Sequence, residues 1–497
     1  MKNLICLFIS PFIFLSAFGQ ATKSESLSAL ETEIKALKQD ACLKNASWSV
    51  CVMDIKTGKV EAQYNNEISL LPASVMKIVT TSAALALLDS SFRFETFLQY
   101  TGTIDTATGI LHGNLFIKGG GDPTFGSKRF GNDVSSDSIF AEFFRSLAKK
   151  GIRAIDGRLI ADESIFDDLL PQSWGWEDVG NYYGSGTCGL SINENMYRLY
   201  FDAGTSVGSP AALTGVEPPM PDIRFINNVK TAGASTGDNV YVLGGPFTYL
   251  KVLEGTVPLG KKHFDVDGAI PDPSMYCIHL FHDYLAQKGI SVSGGYTTLR
   301  EERWKSADGF TDTLARIDLC LHGSPILSKI ICQTNLKSVN MFAETLLKMI
   351  GYKISGEGSA EAGIEAVRNY WSAHVDLKGF DMYDGCGLSR KDEITTLQLC
   401  KMLSFFYDSE QIRPFLNSLP VAGESGGMKG FLKGTVAEDN LMAKTGTMEE
   451  VRSYAGYVTN RANEDLAFAI IVNNFNCPIW EIKQKCEKLM QLIAELD

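Results

Sequence analysis

An apolar run from Ile78 to Leu88 constrains this chain most, because a Ser-x-x-Lys tetrapeptide, Ser74 to Lys77, stands directly before it. The run predicts a buried helix. Residues three apart on a helix share a face, so Ser74 and Lys77 would point the same way. A lysine that is within hydrogen-bond reach of a serine and partly desolvated can lose its proton and act as the base. The helix N-terminus would add partial positive charge where an oxyanion forms. The alternative is an ordinary core helix with a serine cap, since the tetrapeptide alone is common.

Composition narrows the class of protein. The chain has 497 residues, which predicts two or three domains. A hydrophobic content of 45% with 21% charged residues is typical of a folded globular protein. The formal net charge of -12 and the absence of a Lys/Arg cluster argue against binding to nucleic acid.

The N-terminus predicts an exported protein. Lys2 precedes an apolar run from Leu4 to Phe18, and Ala17 and Gly19 have the spacing of a signal-peptidase site. We expect residues 1–19 to be a signal peptide that is cleaved before Gln20. The run is too short to span a membrane, and no other stretch reaches about 18 apolar residues. The mature chain is therefore expected in the periplasm, without stable membrane insertion.

Both ends of the chain carry strand and helix patterns. Leu27 to Leu43 predicts an amphipathic helix, and Trp48 to Asp54 with Lys59 to Tyr64 predicts a β-hairpin. Three more strands are predicted near the C-terminus: Leu441 to Thr447, Tyr454 to Thr459 and Leu466 to Asn473. A last helix would place four apolar residues on one face: Ile482, Cys486, Leu489 and Ile493. The two ends together predict an antiparallel sheet with helices packed on it.

The long region between these ends has a different character. Residues from about 99 to 190 alternate short strand patterns, such as Ile110 to Ile117 and Leu159 to Asp162, with turns. Residues from about 191 to 270 are rich in Gly, Pro, Asn and Asp and hold short strands such as Val240 to Leu243. Both are expected to be β-rich insertions.

Two further clusters have the residue types that a serine-lysine acyl transferase needs. Ser338 and Asn340 open a predicted helix, and Lys444-Thr445-Gly446-Thr447 lies on a predicted strand. These clusters supply a hydroxyl that could pass a proton to the leaving amine, an amide that could orient the substrate, and a lysine with a threonine that could hold a substrate carboxylate. Gly446 would let the substrate approach the strand edge closely. The backbone N–H groups of Ser74 and Thr447 would form the oxyanion hole.

Ser-x-x-Lys, Ser-x-Asn and Lys-Thr-Gly in this order resemble the three signatures of penicillin-binding proteins and serine β-lactamases. The long gap between Ser74 and Ser338 resembles the penicillin-binding protein 4 type of D-Ala-D-Ala carboxypeptidase/endopeptidase, class C, peptidase family S13. Four more stretches match: Gly119-Gly120-Gly121-Asp122-Pro123, Asp384-Gly385-Cys386-Gly387-Leu388-Ser389-Arg390, Leu419-Pro420-Val421-Ala422-Gly423 and Ala455-Gly456-Tyr457. The resemblance covers nearly all of the mature chain and is thinnest from about 200 to 270.

The resemblance implies a mixed α/β fold of the α+β kind. A serine β-lactamase/transpeptidase-like domain, an antiparallel sheet flanked by helices, would comprise residues 20–98 and 325–497. Two smaller, mostly β, domains would be inserted in it. Domain II would comprise residues 99–190 and 271–324, and domain III residues 191–270, with their mutual boundary uncertain from the sequence.

The resemblance also implies the roles of the signature residues. Ser74 would be the acylated nucleophile, Lys77 its base, and Ser338, Asn340 and Lys444 the rest of the catalytic group. The spacing leaves open whether Lys77 or a group around Ser338 and Lys444 is the operative base. The substrate would be a peptidoglycan stem peptide, β-lactams would be covalent inhibitors, and neither a cofactor nor a metal would be needed.

Three further residues are expected to hold the diaminopimelate side chain of the stem peptide. Asp178, in Trp174-Gly175-Trp176-Glu177-Asp178, resembles an inserted-domain aspartate with that role. Arg390 and Glu449 fall at neighbouring positions, and relatives often have glutamine in place of this glutamate. Cys386 stands where the family usually has serine. This is a small-for-small exchange, with a reactive thiol as the alternative.

Two other patterns favour weaker interpretations. Gly423-Glu424-Ser425-Gly426-Gly427 fits a nucleophile elbow, but its flanks predict a loop. His279 and His282 have the spacing of one face of a predicted helix and, with Asp283 beside them, could suggest a metal site. A catalytic zinc site needs three protein ligands that converge, and a converging third ligand is not evident, so solvated helix residues are favoured.

The sequence as a whole predicts an exported serine DD-peptidase. One alternative is a hydrolase of the same fold acting on β-lactams or esters, and another is a non-catalytic peptidoglycan-binding protein. The balance of carboxypeptidase and endopeptidase action, the oligomeric state, the protein partners and the disulfide pairing of the cysteines do not follow from the sequence.

Overall fold

The computed structural model describes residues 25–305 and 315–497, so the predicted signal peptide lies outside the described residues. The described helices are α1 to α11: Glu25–Leu37, Met76–Leu88, Ser136–Lys150, Pro273–Gln287, Leu299–Lys305, Leu327–Leu336, Asn340–Ser355, Ala360–Ser372, Thr396–Tyr407, Ile412–Leu416 and Ile479–Ala494. The described strands are β1 to β21: Ser47–Asp54, Val60–Tyr64, Glu95–Tyr100, Thr103–Asp105, Ile110–His112, Leu115–Lys118, Ala154–Asp156, Leu159–Asp162, Met196–Asp202, Ala212–Glu217, Arg224–Asn227, Lys230–Ala232, Asn239–Leu243, Leu250–Pro258, Phe264–Ala269, Ser291–Val292, Tyr296–Thr298, Ile317–Gly323, Met442–Met448, Val451–Thr459 and Asp465–Asn473.

A five-stranded sheet joins the two ends of the chain. Its order is β19-β20-β21-β1-β2, and every neighbouring pair is antiparallel. The predicted antiparallel sheet is therefore confirmed, with β19 at one edge. The mixed α/β class is confirmed as well.

Strand alternation explains why helices cover both faces of this sheet. Side chains on a strand point to opposite faces in turn. Val50 and Val52 pack with residues of α1 and α11, including Ile482. Cys51 and Met53 pack in a second cluster that includes α2 and α9. The sheet is thus the middle layer between two helical layers.

Helix α2 lies in the centre of the larger helical layer. All of its residues from Met76 to Leu85 are buried, as the apolar run predicted. It packs against α6, α7, α8 and α9. This burial holds the residues just before the helix against the edge of the sheet.

Two predicted elements have different bounds. The first helix ends at Leu37 instead of Leu43, because the Asp40 side chain accepts a hydrogen bond from Cys42 N at 2.8 Å and so competes with the helical bonds. The strand predicted over residues 110–117 is divided at Gly113 into β5 and β6, which belong to different sheets. A side chain at Gly113 would collide with the carbonyl oxygen of Thr101.

The described residues of the inserted region between α2 and α6 form four sheets. Strands β3 to β8 and β16 to β18 make two of them, and β9 to β15 make the other two. One hydrophobic cluster joins both groups and includes Leu98, Leu199 and Phe281. The division into domains II and III at residues 190 and 270 stays a prediction.

Cys42 and Cys477 form a disulfide that ties the segment after α1 to the segment before α11. The other described cysteines are free thiols: Cys51, Cys188, Cys277, Cys320, Cys332, Cys386, Cys400 and Cys486. Within the described part of the chain, no helix has both the length and the apolar character to cross a membrane.

Candidate active site

Ser74 lies in a single 3₁₀ turn, Ala73–Val75, directly before α2. Its side chain does not cap the helix, so the helix-cap interpretation of this serine is wrong. Ala73 has a φ of 48°, which an L-residue rarely adopts. The carbonyl oxygen of Pro72 accepts a hydrogen bond of 2.5 Å from Ser453 Oγ on β20. The turn is therefore fixed to the sheet, and the serine is presented at the end of α2.

Lys77 is fully buried and contacts three groups through its amine. Nζ lies 2.9 Å from Ser74 Oγ, 2.6 Å from Asn340 Oδ1 and 2.7 Å from the carbonyl oxygen of Cys386. The last two oxygens can only accept hydrogen bonds. A neutral amine that donates to both of them turns its lone pair toward the hydroxyl of Ser74.

One observation favours the neutral form of the Lys77 amine, and a second shows that one of its acceptors is fixed in place. Burial lowers the pKa of Lys77, although the acidic groups of Cys386 and Asp384 nearby oppose that shift. The amide of Asn340 is fixed because its Nδ2 donates to the carbonyl oxygen of Tyr183 at 2.7 Å, which leaves Oδ1 facing the lysine. The pair of Ser74 and Lys77 therefore has the geometry of a nucleophile and its base.

Ser338 and Lys444 form a second pair. Lys444 Nζ donates to Ser338 Oγ at 3.0 Å and to the carbonyl oxygen of Thr445 at 2.7 Å. Burial lowers the pKa of Lys444 well below its usual value, and the charges of Lys77 and Arg452 add to this effect. Ser338 has a φ of 56°, a strained conformation that places its hydroxyl toward the lysine from the turn before α7.

Strand β19 is an edge strand of the main sheet, and its first residues pair outward with the loop around Val421, ahead of the Lys444-Thr445-Gly446-Thr447 segment at this site. The N–H of Ala443 donates outward to the carbonyl oxygen of Pro420 at 2.9 Å. Successive N–H groups on a strand alternate in direction, so those of Thr445 and Thr447 point from the same edge. The sequence predicts that the substrate backbone lies along this edge.

Gly446 allows the strand and the serine turn to approach each other. A Cβ at this position would overlap Ser453 Oγ, and it would lie 2.7 Å from the oxygen of Pro72 and 3.1 Å from the backbone nitrogen of Ser74. The requirement for glycine comes from this close contact with the protein itself, in addition to the expected substrate. The backbone nitrogens of the predicted oxyanion hole therefore lie on adjacent segments.

A loop from Asp384 to Ser389 supplies the third partner of Lys77. The carboxylate of Asp384 accepts hydrogen bonds from the backbone N–H groups of Cys386, Gly387 and Ser389, at 3.1, 2.6 and 2.6 Å. It also accepts one of 2.8 Å from Trp174 Nε1 in the inserted region. Asp384 thus fixes the loop whose carbonyl group holds Lys77, a role that the sequence pattern did not reveal.

Cys386 has the properties of an inert thiol. It is fully buried, and burial, with the nearby carboxyl groups of Asp384 and Glu344, raises its pKa well above the usual value. A thiol that stays protonated is a poor nucleophile. The exchange of serine for cysteine is therefore consistent with a packing role.

Glu344 is a buried acid beside this loop. Its Oε1 accepts a hydrogen bond of 2.8 Å from the N–H of Gly385, while its Oε2 has no partner among the described residues. Burial raises the pKa of Glu344 to about 8, and the charge of Asp384 adds to the shift. The side chain is therefore mostly protonated at neutral pH.

The ligand atoms of Glu344, Asp384 and Cys386 all lie within 4.8 Å of one another and could in principle hold a metal ion. The oxygens of Asp384 already accept four hydrogen bonds, and the other two groups keep their protons. A cation would have to displace all of these interactions. The cluster fits a structural role better than a metal site.

Two of the three residues expected at the diaminopimelate position lie together. Arg390 Nη1 donates to Asp178 Oδ2 at 3.0 Å, across the boundary between the inserted region and the main sheet domain. Glu449 is exposed in the turn between β19 and β20, and no described residue forms a hydrogen bond or ion pair with its side chain. The roles of all three stay predictions.

The two competing motifs lie in a loop and on helix α4. Ser425 Oγ accepts a hydrogen bond of 3.0 Å from the N–H of Val421 within the loop, and the strand and helix of a nucleophile elbow do not flank it. His279 and His282 lie on α4 and pair with Asp283 at 3.6 and 3.4 Å. Among the described residues, these three side chains are not one of the clusters whose ligand atoms all lie within 4.8 Å of one another, so they do not converge as a metal site requires.

Comparisons with known proteins agree with this geometry. The chain is 30% identical over 468 residues to a D-alanyl-D-alanine carboxypeptidase of Actinomadura, covering 91% of this chain and 82% of that one. It is 25% identical over 457 residues to the D-alanyl-D-alanine carboxypeptidase of Haemophilus influenzae, covering 89% and 88%.

The crystal structure of penicillin binding protein 4 from Haemophilus influenzae matches with a TM-score of 0.76 at 24% identity, covering 93% of this chain and 97% of that one. The two chains therefore share a fold. The model of the D-Ala-D-Ala carboxypeptidase 3 (S13) family matches residues 30–495. The chain belongs to this family.

Proposed function

We propose that this chain is a serine-type DD-peptidase that hydrolyses peptidoglycan stem peptides through an acyl-enzyme on Ser74, and that penicillin acylates the same hydroxyl. The observation that carries the proposal is the 2.9 Å contact between Lys77 Nζ and Ser74 Oγ. The other two contacts of Nζ are with Asn340 Oδ1 and the Cys386 carbonyl oxygen, which can only accept hydrogen bonds. Membership of the S13 family and relatives described as D-alanyl-D-alanine carboxypeptidases support the substrate class.

In the acylation step, Ser74 Oγ attacks the carbonyl carbon of the penultimate D-Ala while its proton passes to the neutral amine of Lys77. The carbonyl oxygen becomes an oxyanion. The backbone N–H groups of Ser74 and Thr447 would stabilise it, because both lie at the junction of the serine turn and the free edge of β19.

Collapse of this intermediate breaks the peptide bond and requires a proton on the leaving amine. Ser338 Oγ can donate that proton and recover one from Lys444, from which it is 3.0 Å away. Water then attacks the acyl carbon and passes its proton through Ser338 to Lys444, which is neutral at this stage. As the ester bond to Ser74 Oγ breaks, Lys77 returns its proton to that oxygen, which releases the shortened peptide and restores the Ser74 hydroxyl.

The substrate chain would lie along β19. The outward N–H groups of this edge strand can pair with an extended peptide, as in strand addition. Along this strand Thr445 and Thr447 alternate with Gly446, and the Lys444 side chain lies on the opposite face from the two threonines. The terminal carboxylate of the substrate would be held at this end of the strand.

Asp178 and Arg390 would hold the zwitterionic end of a diaminopimelate side chain, with Glu449 at the rim. Asp178 and Arg390 already form an ion pair. The Asp178 carboxylate can accept hydrogen bonds from the amine of diaminopimelate, and the Arg390 guanidinium can donate to its carboxylate. We expect Asp178→Asn to raise the KM for a diaminopimelate-containing peptide by about tenfold, and to leave the KM of a peptide with alanine in place of diaminopimelate unchanged. Equal effects on both peptides would refute this assignment.

We place the activity outside the cytoplasm, since the predicted signal peptide at residues 1–19 would direct export and the proposed substrate is the cell wall. The direct test of the function uses purified cross-linked muropeptides, with products separated by liquid chromatography and mass spectrometry. Release of D-Ala reports carboxypeptidase action, and conversion of dimers to monomers reports endopeptidase action.

Controls separate the alternatives. Ser74→Ala should abolish both reactions. Turnover of nitrocefin without any turnover of muropeptides would favour a β-lactamase. Binding of muropeptides with no acyl-enzyme in the mass spectrum would favour a non-catalytic binding protein.

A further inference from the structure

Arg452 lies on β20 directly opposite Thr447 of β19. Arg452 is only 4% exposed, and its guanidinium lies 4.6 Å from the ring centre of Tyr454 and 5.9 Å from that of Phe431. Nε donates to the hydroxyl of Tyr454 at 2.7 Å, and Nη1 donates to Thr447 Oγ1. A permanent positive charge is therefore fixed beneath the edge strand of the proposed active site.

This charge has no acidic partner in residues 25–305 and 315–497, where no carboxylate forms an ion pair with Arg452. A buried cation without a counterion is costly, and arginine cannot relieve that cost by losing its proton. The nearby cations respond to it, because Arg452 contributes to the lowered pKa values of both Lys444 and Lys483. The site is therefore locally positive and complementary to an anion from outside the chain.

The hydroxyl of Thr447 links the buried guanidinium of Arg452 to the protein surface. Its hydroxyl has one proton and two lone pairs, and one lone pair accepts the hydrogen bond from Arg452. The proton is then free to donate on the exposed side, and this donation is strengthened by the cation behind it. Thr447 is exposed, and its backbone N–H points from the same free edge.

Lys444 is less suited to supply the fixed charge. Its amine donates inward to Ser338 Oγ and to the carbonyl oxygen of Thr445. Those contacts suit a proton relay, which requires the lysine to change its protonation state during the reaction. Lys444 would then transfer protons during the reaction, and Arg452 would supply the fixed positive charge.

We propose that Arg452 determines specificity for the free terminal carboxylate of the substrate, which it binds through the hydroxyl of Thr447. This inference rests on the proposed DD-peptidase function and names the group that selects a peptide ending in a free acid. Arg452 is neither a nucleophile nor a base in this account.

The test compares an acyl-peptide ending in D-Ala-D-Ala with the same peptide ending in a D-Ala amide, using kcat/KM for both. Wild-type enzyme should prefer the free acid. Arg452→Gln should reduce the acid-over-amide preference by about ten- to a hundredfold, the loss expected for a hydrogen bond to a charged group. Arg452→Lys keeps the charge and should retain most of the preference.

Arg461→Gln is the matched control, because it removes one positive charge from an exposed residue just beyond the other end of β20, where Arg461 pairs with Glu495. It should leave the preference unchanged. If Arg452→Gln does not fold, Thr447→Val measures the same preference and should reduce it by a similar factor. An unchanged preference in the folded variant, or an equal loss with Arg452→Lys, would overturn the inference alone. Failure of wild-type enzyme to cleave either peptide would overturn the proposed function and the inference together.

Discussion

Substitution of Gly446 by alanine tests whether the serine turn and the edge strand must touch. The new methyl group would overlap Ser453 Oγ and lie 2.7 Å from the carbonyl oxygen of Pro72, where van der Waals contact requires more than 3 Å. Ser453 Oγ itself donates to that carbonyl oxygen. The methyl group therefore enters the contact that fixes the turn carrying Ser74.

The magnitude follows from the size of the required movement. To accept the methyl group, the turn and β19 must separate by several tenths of an ångström to about 1 Å. Overpacking of this kind destabilises a protein by about 1–3 kcal/mol. A displacement of about 1 Å at a reacting group can reduce the rate about a hundredfold. We therefore expect penicillin acylation to slow by about a hundredfold while the protein stays folded.

The assay is the second-order rate of acylation by a fluorescent penicillin, measured beside the thermal unfolding midpoint. Gly430→Ala is the matched control, since a Cβ at Gly430 meets no atom within 4 Å in the loop that precedes β19. It should acylate at the wild-type rate. A Gly446→Ala variant that acylates within threefold of wild type would refute the reasoning that this contact positions Ser74.

Three more predictions concern the buried groups around Lys77. Acylation should become faster as the pH rises through the lowered pKa of Lys77, because only the neutral amine accepts the serine proton. Lys77→Ala should lose this pH dependence and should react about 10²–10⁴ times more slowly. Stopped-flow measurement of acylation between pH 5 and 10 tests both expectations. Glu344 has a pKa of about 8 in the folded chain and about 4.3 when unfolded, so its stabilising contribution is present below pH 4 and is lost as the pH rises to 8. Glu344→Gln, neutral at every pH, should therefore gain about 3–4 kcal/mol relative to wild type between pH 5 and pH 9 in urea unfolding, and a constant difference would contradict the raised pKa. Asp384→Asn turns an NH2 group toward at least two of the four donors that the carboxylate accepts, and should cost about 2–5 kcal/mol of unfolding free energy and slow acylation.

Local patterns predicted the parts of this structure that depend on neighbouring residues. The spacing of three between Ser74 and Lys77 sufficed to place their side chains together, although the serine lies in the turn before the helix. Short apolar runs such as Leu466 to Asn473 predicted the strands of the main sheet. The order of three short signatures, taken with their family resemblance, predicted which distant segments converge.

Contacts between distant segments outside the three signatures were not visible in the sequence. Asp384 has its role because its loop, α2 and Trp174 of the inserted region meet at one point. Arg452 has the pattern of an ordinary strand residue, and only its position opposite Thr447 and the lack of a described acidic partner set it apart. The disulfide of Cys42 and Cys477 joins segments near the two ends of the chain, and spacing alone does not define such pairs.

Peptide mapping after reaction with penicillin tests the central claim most directly. The wild-type chain, Ser74→Ala and Lys77→Ala are incubated with benzylpenicillin, digested and analysed by mass spectrometry. We predict one penicilloyl adduct, on the peptide containing Ser74, in wild type, a strongly reduced amount in Lys77→Ala and none in Ser74→Ala. An adduct on another residue, or equal labelling of Ser74→Ala, would contradict the assignment of Ser74 as the nucleophile.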